Sequence, residues 1–554
     1  MGSVTRSGAR ILVDQLMIHG VDRIFCVPGE SYLSVLDALY DRPRIDLVTC
    51  RHESGATMMA DAAGKLTGRP GVAMVTRGPG ATNASAGLHI AKQDSTPLIL
   101  LIGQVARGHR EREAFQELDY PRLFGELAKW VAEIDDARRI PEFLSRAFHV
   151  ATSGRPGPVV LALPEDMLDD EAAVADARPY TVVETHPGAA SMAALREALA
   201  ASRRPFMLLG GSGWDQEAVR RVETFALANA LPVGCVFRRQ DRFDNTLSSY
   251  VGDVGIGVNP KLATRIKESD LLLVVGARLG EATTGGYQLL DIPTPRQRLI
   301  HVHADPQELG RVYQPDLAIN AAPRFFAEAL ATLAPIASPD WAAATHEARG
   351  EYLAYRAPVR SPGQVQMSEI VHWLDAHLPA DTIFTNGAGN FATWLHRFHQ
   401  YRGFGTQLAP TSGSMGYGFP AAVAAKLTMP SRPVVCFAGD GDFLMTGQEL
   451  ATAVGRGLQL IVLVINNGMY GTIRMHQERH YPSRVIATDL HNPDFVALAR
   501  AYGAYGALVE RTEDFAAAFA AARGGDGPAL LEIRLDPEAI TPRQTLSEIR
   551  QAGH

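Results

Sequence analysis

The stretch FAGDGDFLMTGQELATAVGRGLQLIVLVINNGMYG, residues 437–471, decides how the rest of the chain is interpreted. Two apolar runs, VVCFA and LQLIVLVI, predict buried strands joined by a helical segment. A Gly-Asp-Gly turn around Asp440 follows the first strand, and Asn466 and Asn467 follow the second. Because ligands bind at the carboxyl edge of a parallel sheet, these polar side chains are expected to converge on a ligand there.

The residue types at this edge favour a divalent cation and a diphosphate. The carboxylate of Asp440 and the amide oxygen of Asn467 are hard oxygen donors, which suit Mg²⁺. Gly439 and Gly441 let backbone amides approach an anionic group. Each motif alone is also typical of an ordinary surface turn, but two motifs after successive strands favour the metal site. The sequence has no GxxxxGK[ST] loop and no GxGxxG opening a first βα unit.

Length and charge limit the possible functions. A chain of 554 residues has room for roughly three domains of about 150 to 200 residues. The formal net charge of −7 argues against general binding to nucleic acid or to a membrane surface. The amino terminus has no signal-peptide pattern, and no run approaches about 18 apolar residues. With four scattered cysteines, the sequence predicts a cytoplasmic protein with free thiols.

An alternation of strand-like and helix-like segments extends along the whole chain. Short Val/Ile/Leu-rich runs are separated by longer amphipathic stretches, which predicts an α/β fold of doubly wound parallel sheets. The composition shifts in two places, near residues 165–190 and 337–364. We therefore expect three domains, at residues 1–180, 190–335 and 365–554.

The two motifs of the opening stretch resemble those of thiamine-diphosphate-dependent enzymes, in which GDG and a later NN bind the cofactor diphosphate through magnesium. The resemblance implies that Asp440, Asn467 and the backbone carbonyl of Met469 are the metal ligands. It also implies that Gly439 and Gly441 contact the cofactor. The three predicted domains would then be the pyrimidine-binding, central and diphosphate-binding domains of this family, in that order.

Two further segments match the family. In RHESGA, Glu53 matches the acid that hydrogen-bonds to the aminopyrimidine ring and activates it, although a glutamate at a helix start is also favoured by the helix dipole. In TSGSMGYG, Met415 matches the apolar side chain over which the cofactor bends, and Gly413 matches a backbone contact. A core methionine in a glycine-rich turn is the alternative. In the family the cofactor lies between two chains, so the resemblance implies at least a homodimer, and tetramers are common.

Within this family the first domain is most similar to acetolactate synthase, in segments such as VPGESYLSVLDALY and REAFQELD. This similarity implies decarboxylation of a 2-oxo acid and carboligation to a second carbonyl compound, with thiamine diphosphate and Mg²⁺ as cofactors. It places Phe115 and Gln116 near the thiazolium ring. Lys129 matches a substrate-channel lysine and Gln477 a residue near the cofactor, although exposed polar residues on helices are ordinary.

Three residues depart from the synthase pattern. His476 stands where the synthases have a tryptophan that restricts the acceptor, and Glu30 stands where they have glycine. Both join Gln116 as candidate acid–base groups. Arg77 replaces a small residue and either holds a substrate carboxylate or packs at a turn.

These departures leave other activities open. One is a simple 2-oxo acid decarboxylase, and another is a carboligase or lyase of the benzaldehyde lyase type. A relative that binds the cofactor without turnover is a third interpretation, which the retained Glu53 disfavours.

The central domain leaves the presence of FAD open. Synthases that bind FAD have a Leu-Met-Gly-Leu-Gly stretch and then a Gly-Met-His-Gly turn, whereas this chain has VFRRQDRFDNTLSSYVGDVGIG in the corresponding region. The segments GGSGW at 210–214 and GARLGE at 276–281 are either dinucleotide-binding turns or glycine-rich strand ends.

Overall fold

The computed structural model describes residues 4–337 and 339–553. The chain divides into two compact units. The first contains residues 1–183 together with two later segments, 419–430 and 446–458. The second contains residues 184–418, 431–445 and 459–554.

The first unit is built on a six-stranded sheet with strand order β3-β2-β4-β5-β7-β6, in which every pair is parallel. The two remaining strands, β1 and β8, form a separate antiparallel pair. The strands are β1 (Thr5–Ser7), β2 (Arg23–Cys26), β3 (Asp46–Thr49), β4 (Gly71–Val75), β5 (Leu98–Gln104), β6 (Trp130–Glu133), β7 (Pro158–Pro164) and β8 (Glu171–Ala173). The helices are α1 (Gly8–Ile18), α2 (Leu33–Tyr40), α3 (Glu53–Thr67), α4 (Pro79–Asp94), α5 (Tyr120–Phe124), α6 (Ile140–Thr152) and α7 (Glu165–Asp169).

The second unit contains two more parallel sheets of six strands. The earlier one has the order β11-β10-β9-β12-β13-β14 and buries apolar side chains on both faces. Its strands are β9 (Pro205–Leu209), β10 (Val233–Val236), β11 (Tyr250–Val254), β12 (Leu271–Val275), β13 (Arg298–His303) and β14 (Leu317–Asn320). Its helices are α8 (Ala189–Ala201), α9 (Gln216–Ala228), α10 (Pro260–Glu268), α11 (Pro323–Leu330) and α12 (Ala342–Tyr355).

The last sheet has the order β16-β15-β17-β18-β20-β19 and contains the residues of the opening stretch. Its strands are β15 (Ile383–Asn386), β16 (Gln407–Leu408), β17 (Val434–Gly439), β18 (Ile461–Asn466), β19 (Tyr505–Val509) and β20 (Ala529–Arg534). The helices of this part of the chain are α13 (Met367–His377), α14 (Phe391–Phe398), α15 (Gly418–Thr428), α16 (Asp440–Phe443), α17 (Leu450–Gly455), α18 (Gly471–His480), α19 (Phe495–Ala501), α20 (Phe515–Arg523) and α21 (Leu546–Ala552).

The predicted α/β class with parallel, doubly wound sheets is confirmed. Each sheet lies within one of the three predicted ranges, while the boundaries themselves stay a prediction. The strands are apolar along their length because helices cover both faces of a parallel sheet. Among the described helices, none combines the length and the apolar character that a membrane crossing requires.

One local prediction needs correction. The Gly-Asp-Gly motif is not a simple turn, because Asp440 begins the short helix α16 directly after β17. The predicted helix over TGQELATAVGRG is a 3₁₀ turn at Gly447–Glu449 followed by α17. An aspartate in the first turn of a helix is favoured by the free backbone N–H groups there, which explains the early start of α16.

Candidate active site

Strands β17 and β18 are adjacent and parallel, with Gly439 paired to Ile465, so both motifs emerge at the same sheet edge. Asp440 is only 3% exposed. Its Oδ1 accepts a hydrogen bond from the backbone of Gly441 (3.0 Å), and its Oδ2 accepts one from the backbone of Gly468 (2.9 Å). The first motif is thus hydrogen-bonded directly to the turn that follows Asn467.

The turn after β18 is held in a defined shape. Gly468 has a φ of +67°, a conformation that glycine adopts readily. The Oδ1 of Asn467 accepts a hydrogen bond from the backbone of Met469 (3.3 Å), and the carbonyl of Gly468 accepts one from Leu490 (2.8 Å). These contacts fix the backbone around the proposed ligands Asn467 and Met469.

A cavity of about 220 Å³ opens at this edge. Its wall brings together the residues of all three segments that the sequence singled out in the last domain: Gly413, Met415, Gly439, Asp440, Gly441, Asn467 and Met469. The first residues of α18, including Thr472 and Ile473, also line it.

The glycines of the first motif are required by close packing. A Cβ on Gly439 would lie 2.7 Å from Cδ1 of Phe391, and one on Gly441 would lie 2.6 Å from Cε1 of Tyr470. Both distances are shorter than a carbon–carbon contact allows. Both glycines line the cavity, and their lack of side chains lets a bound group approach the backbone at the start of α16.

The donor set fits a magnesium ion that arrives with a diphosphate. The described residues include no group of three His, Cys, Asp or Glu side chains placed to hold a metal ion. Asp440 would supply one carboxylate, and Asn467 and Met469 would supply neutral oxygens, which leaves positions for phosphate oxygens, as Mg²⁺ prefers. Burial raises the pKa of Asp440, and hydrogen bonds from Asn492, Gly441 and Gly468 oppose that rise. A nearby cation would favour the ionised form further.

Asp442 is a residue of this cavity that the sequence did not single out. Its Oδ1 accepts hydrogen bonds from the backbone of Gly416 (2.8 Å) and Ala388 (3.2 Å), so it ties α16 to the loop that carries Met415. Burial raises the pKa of Asp442 to about 7. Nothing in the sequence pattern distinguishes this carboxylate from an exposed aspartate in a helix.

In the first unit, Glu53 begins helix α3 at the carboxyl end of β3. Its Oε2 accepts a hydrogen bond from the side chain of Asn83 (3.0 Å). A Cβ added to Gly80 would lie 3.2 Å from the Oε1 of Glu53, so the glycine leaves room for this carboxylate. His52 caps the helix by accepting a hydrogen bond from the backbone of Ser54 (3.2 Å).

A second glutamate, which sequence reasoning missed, holds the start of α3. Glu449 is completely buried, and its carboxylate accepts hydrogen bonds from the backbone of Arg51 and His52, both at 3.0 Å. Its Oε2 also accepts a hydrogen bond from Thr452 (2.6 Å). A Cβ added to Gly55 would lie 2.5 Å from Oε1 of Glu449, so the close approach requires glycine there. Burial raises the pKa of Glu449, and the bonds from Thr452, Arg51 and His52 oppose that rise.

The other candidates in the first unit lie on loops at the same sheet edge as Glu53. Gln116 has a φ of +65° and packs against Gly78, where an added Cβ would lie 2.7 Å from that of Gln116. Glu30 is exposed at the start of a 3₁₀ turn, and Phe115 is 74% exposed. The structure therefore leaves Glu30 and Phe115 accessible from solvent.

Three residues from the sequence analysis, Arg77, Lys129 and Gln477, are bonded to other parts of the structure. Arg77 forms an ion pair with Glu165 (2.6 Å), which supports the interpretation of Arg77 as a packed residue. Lys129 donates to the carbonyls of Val150 and Ser153 (2.5 and 2.7 Å) at the end of α6.

Gln477 bonds through its amide nitrogen to the carbonyl of Ile486 (2.9 Å) and through its oxygen to the N–H of the same residue (3.3 Å). It therefore joins α18 to the loop after that helix.

His476 lies on helix α18 and is exposed. Its ring stacks near that of His480, with centroids 6.1 Å apart. Burial, together with the charges of Arg479 and His480, lowers the pKa of His476.

The two glycine-rich turns of the central sheet pack on each other. A Cβ on Gly211 would overlap the carbonyl oxygen of Gly276, and Trp214 donates to the carbonyl of Gly210 (2.8 Å). This packing accounts for the glycines and lends no support to FAD.

Three family models match consecutive parts of the chain. They describe the N-terminal TPP binding domain, the central domain and the C-terminal TPP binding domain of thiamine pyrophosphate enzymes, and they match residues 6–123, 192–330 and 387–533. The three models follow the order of the three six-stranded sheets, although the first ends before β6 and β7 and the last begins just after β15.

Relatives align along nearly the whole chain. The acetolactate synthase isozyme 2 large subunit of Escherichia coli is 33% identical over 96% of this chain and 96% of its own length. The acetolactate synthase of Mycobacterium bovis is 32% identical over 96% of this chain and 88% of its own. The probable acetolactate synthase large subunit of Methanocaldococcus jannaschii is 31% identical over 97% of this chain and 93% of its own length. The chain is therefore a thiamine-diphosphate-dependent enzyme of the acetolactate synthase family.

Proposed function

We propose that this enzyme decarboxylates a 2-oxo acid with thiamine diphosphate and Mg²⁺ and joins the remaining fragment to a second carbonyl compound, as in an acetolactate synthase. The observation that carries the proposal is the cavity at the edge of β17 and β18, whose wall contains Asp440, Asn467, Met469 and Met415. When bound, thiamine diphosphate would supply a nucleophilic ring carbon for the ketone of the 2-oxo acid and a positively charged thiazolium ring to take up the electron pair that remains when carbon dioxide leaves.

The residues of the cavity would bind the cofactor in separate regions. Asp440, Asn467 and the carbonyl of Met469 would hold Mg²⁺, and the N–H groups that begin α16 would contact the diphosphate. Met415 would support the bend of the cofactor, and the backbone of Gly413 would contact the aminopyrimidine. Met415 is held in place because Asp442 binds the N–H of the next residue, Gly416.

Glu53 would donate a hydrogen bond to the pyrimidine ring and so favour the tautomer whose nitrogen removes the thiazolium proton. We place Glu53 and Asp440 of one site on different chains, so that a homodimer is the smallest active assembly and a tetramer its expected extension. Gln116, Glu30 and His476 would assist proton transfer to and from the substrate. The site takes small molecules, and the proposal includes neither nucleic acid nor a membrane.

A second candidate follows from His476. This imidazole is on the helix whose first turn lines the cavity, and burial lowers its pKa. A titratable group in place of the tryptophan of the synthases suits transfer of a proton to the fragment left after decarboxylation. The product would then be an aldehyde, as for a simple decarboxylase. If the enzyme instead ran carboligation in reverse and cleaved the carbon–carbon bond of an acyloin, it would be a lyase of the benzaldehyde lyase type.

One experiment separates these candidates. The enzyme is incubated with pyruvate, 2-oxobutyrate or benzoylformate, each alone and each paired with an aldehyde or a second 2-oxo acid, and carbon dioxide and products are measured. A 2-acetolactate-type product confirms the proposal, and an aldehyde as the only product supports the second candidate. No carbon dioxide from any substrate, with thiamine diphosphate and Mg²⁺ present, contradicts both.

The four cysteines are free and buried, which agrees with the proposed cytoplasmic location.

A further inference from the structure

Asn492, in the loop before helix α19, contacts both motifs of the candidate site. Its amide nitrogen donates to Oδ2 of Asp440 (2.8 Å) and to Oδ1 of Asn466 (2.9 Å). One side chain from a separate loop therefore links the residue after β17 to the last residue of β18.

This link limits the orientation of Asp440. Its Oδ2 already accepts the backbone N–H of Gly468, so the bond from Asn492 gives that oxygen a second donor. Among the described residues only Gly441 donates to Oδ1, so that oxygen keeps a lone pair for a cation. Two donors on one oxygen and one on the other fix the rotation of the carboxylate before any ligand binds.

The second partner of Asn492 is itself fixed. The amide nitrogen of Asn466 donates to Glu532 (2.8 Å), and its Oδ1 accepts the N–H of Gly468 (3.1 Å). The Oδ1 of Asn466, which accepts the bond from Asn492, is therefore held in place. The side chains of Asn492, Asp440 and Asn466 form one hydrogen-bonded network.

The side-chain oxygen of Asn492, Oδ1, is buried and has no hydrogen-bond partner among the described residues. Leaving a buried acceptor unsatisfied is costly, so such groups usually have a partner, either another protein group or an ordered water. Mg²⁺ commonly keeps some of its water ligands when it binds, and each of these waters is a donor. The unpaired oxygen is therefore the kind of group that a hydrated cation would satisfy.

We propose that Asn492 is a positioning residue for the divalent cation: it orients the carboxylate of Asp440 through its amide nitrogen and accepts a hydrogen bond from a water of the bound cation through its oxygen. This inference rests on the proposed function, because it requires the magnesium site at Asp440. Partners of metal ligands typically change metal affinity about 10- to 100-fold when they are lost.

The test compares Mg²⁺ affinity in the wild-type enzyme, Asn492→Ala and a matched control. Full-length enzyme is freed of metal, mixed with a fixed excess of thiamine diphosphate and titrated with Mg²⁺, with binding measured by calorimetry and by quenching of protein fluorescence. The control is Asn320→Ala, because the amide nitrogen of Asn320 also donates twice, to the carbonyls of His303 (3.0 Å) and Ala304 (2.9 Å), at the central sheet.

We expect Asn492→Ala to raise the half-saturating Mg²⁺ concentration about 10-fold or more. Its turnover should recover when Mg²⁺ is added in excess, while Asn320→Ala keeps the wild-type Mg²⁺ affinity. A half-saturation within twofold of wild type, with or without a lower melting temperature, would overturn the inference, since a merely structural residue changes stability alone. If Asn492→Ala is insoluble, the same titration of Asn492→Ser decides.

The two proposals fail in different ways. If the wild-type enzyme takes up no thiamine diphosphate in the presence of Mg²⁺, the proposed function itself is wrong. If wild type binds both and Asn492→Ala binds Mg²⁺ equally well, only the role of Asn492 is wrong.

Discussion

The carboxylate of Glu449 accepts a 3.0 Å hydrogen bond from the backbone N–H of His52, the residue immediately before Glu53. Glu449, which follows the Gly-Asp-Gly motif in the sequence, thus fixes the start of α3, the helix that carries Glu53, the proposed activating acid. Because the carboxylate also binds the N–H of Arg51, it acts as a remote cap on α3.

Replacing Glu449 should therefore affect both stability and catalysis. Glu449→Ala leaves the N–H groups of Arg51 and His52 without their partner, so we expect the unfolding free energy to fall by about 2 kcal/mol and turnover to fall by a larger factor than cofactor affinity. Thermal unfolding, steady-state kinetics and calorimetry with thiamine diphosphate measure the three quantities.

The matched control for this variant is Asp215→Ala. Asp215 caps α9 in the central sheet by accepting the N–H of Ala218 (2.7 Å), so its loss should lower stability but leave turnover unchanged. If Asp215→Ala reduced turnover as much as Glu449→Ala, the effect of Glu449 would be one of general stability, and its link to Glu53 would be refuted.

Glu53→Gln and Asp440→Ala should each inactivate the enzyme, for different reasons. Glu53→Gln removes the acid, and we expect turnover to fall about 10²- to 10⁴-fold with cofactor binding retained.

Asp440→Ala removes a metal ligand, so Mg²⁺ and thiamine diphosphate should bind more weakly together. Calorimetry distinguishes the two, and unchanged cofactor affinity in Asp440→Ala would contradict the metal site.

Co-expression of these two variants tests whether each site is shared between chains. In a hybrid dimer one site would combine both substitutions and the other would be intact. With random assortment about half of the dimers are hybrids, so about a quarter of wild-type activity should return. Isolation of the hybrid by two affinity tags gives the activity per dimer directly. Sites formed within single chains would give no recovery.

His476 should influence the choice of the second substrate. In His476→Trp we expect the ratio of carboligation product to aldehyde to rise and the preference among acceptors to change about 10-fold, the scale on which pocket shape discriminates. Product analysis with mixed substrates measures both. His346→Trp, which changes an exposed histidine on helix α12, is the control and should behave as wild type. Identical product ratios in both variants would exclude this role for His476.

The sheets and their order in the chain could be predicted because apolar runs such as those at 434–438 and 460–465 are continuous, as buried parallel strands require. The convergence of Asp440 and Asn467 followed from the same rule, since each comes directly after one of two neighbouring strands. Met415 and Gly413 could be placed at the site only through the family resemblance, because their segment has no distinctive chemistry of its own.

The residues that orient these groups could not be predicted. Glu449 is in a typical helix start, GQEL, and Asn492 is in a typical turn, HNPD, so local patterns explain both completely. Their partners lie at Arg51 and Asp440, and such contacts depend on how distant segments come together in space. For the same reason, the sequence could not show that Arg77 and Lys129 have structural partners.

The central sheet should make the enzyme sensitive to acid through His301. This residue of β13 is 3% exposed, and its Nε2 donates to the carbonyl of Ala277 (2.9 Å). Burial lowers the pKa of His301 to about 4, whereas an unfolded histidine has a pKa of about 6.5. Between these values the unfolded chain binds a proton that the native state does not. The contribution of His301 to stability is therefore complete above about pH 6.5 and is lost as the pH falls towards 4.

We expect this loss to approach about 1.4 kcal/mol for each pH unit within that window. In His301→Gln, whose amide can still donate to Ala277, the slope of unfolding free energy against pH should be smaller, although stability at pH 7.5 is somewhat reduced. Urea unfolding at intervals from pH 7.5 to 4.5 measures both slopes. His346→Gln, on helix α12, should keep the wild-type slope, because His346 is exposed. Parallel slopes for wild type and His301→Gln would show that His301 is not the group that acid titrates.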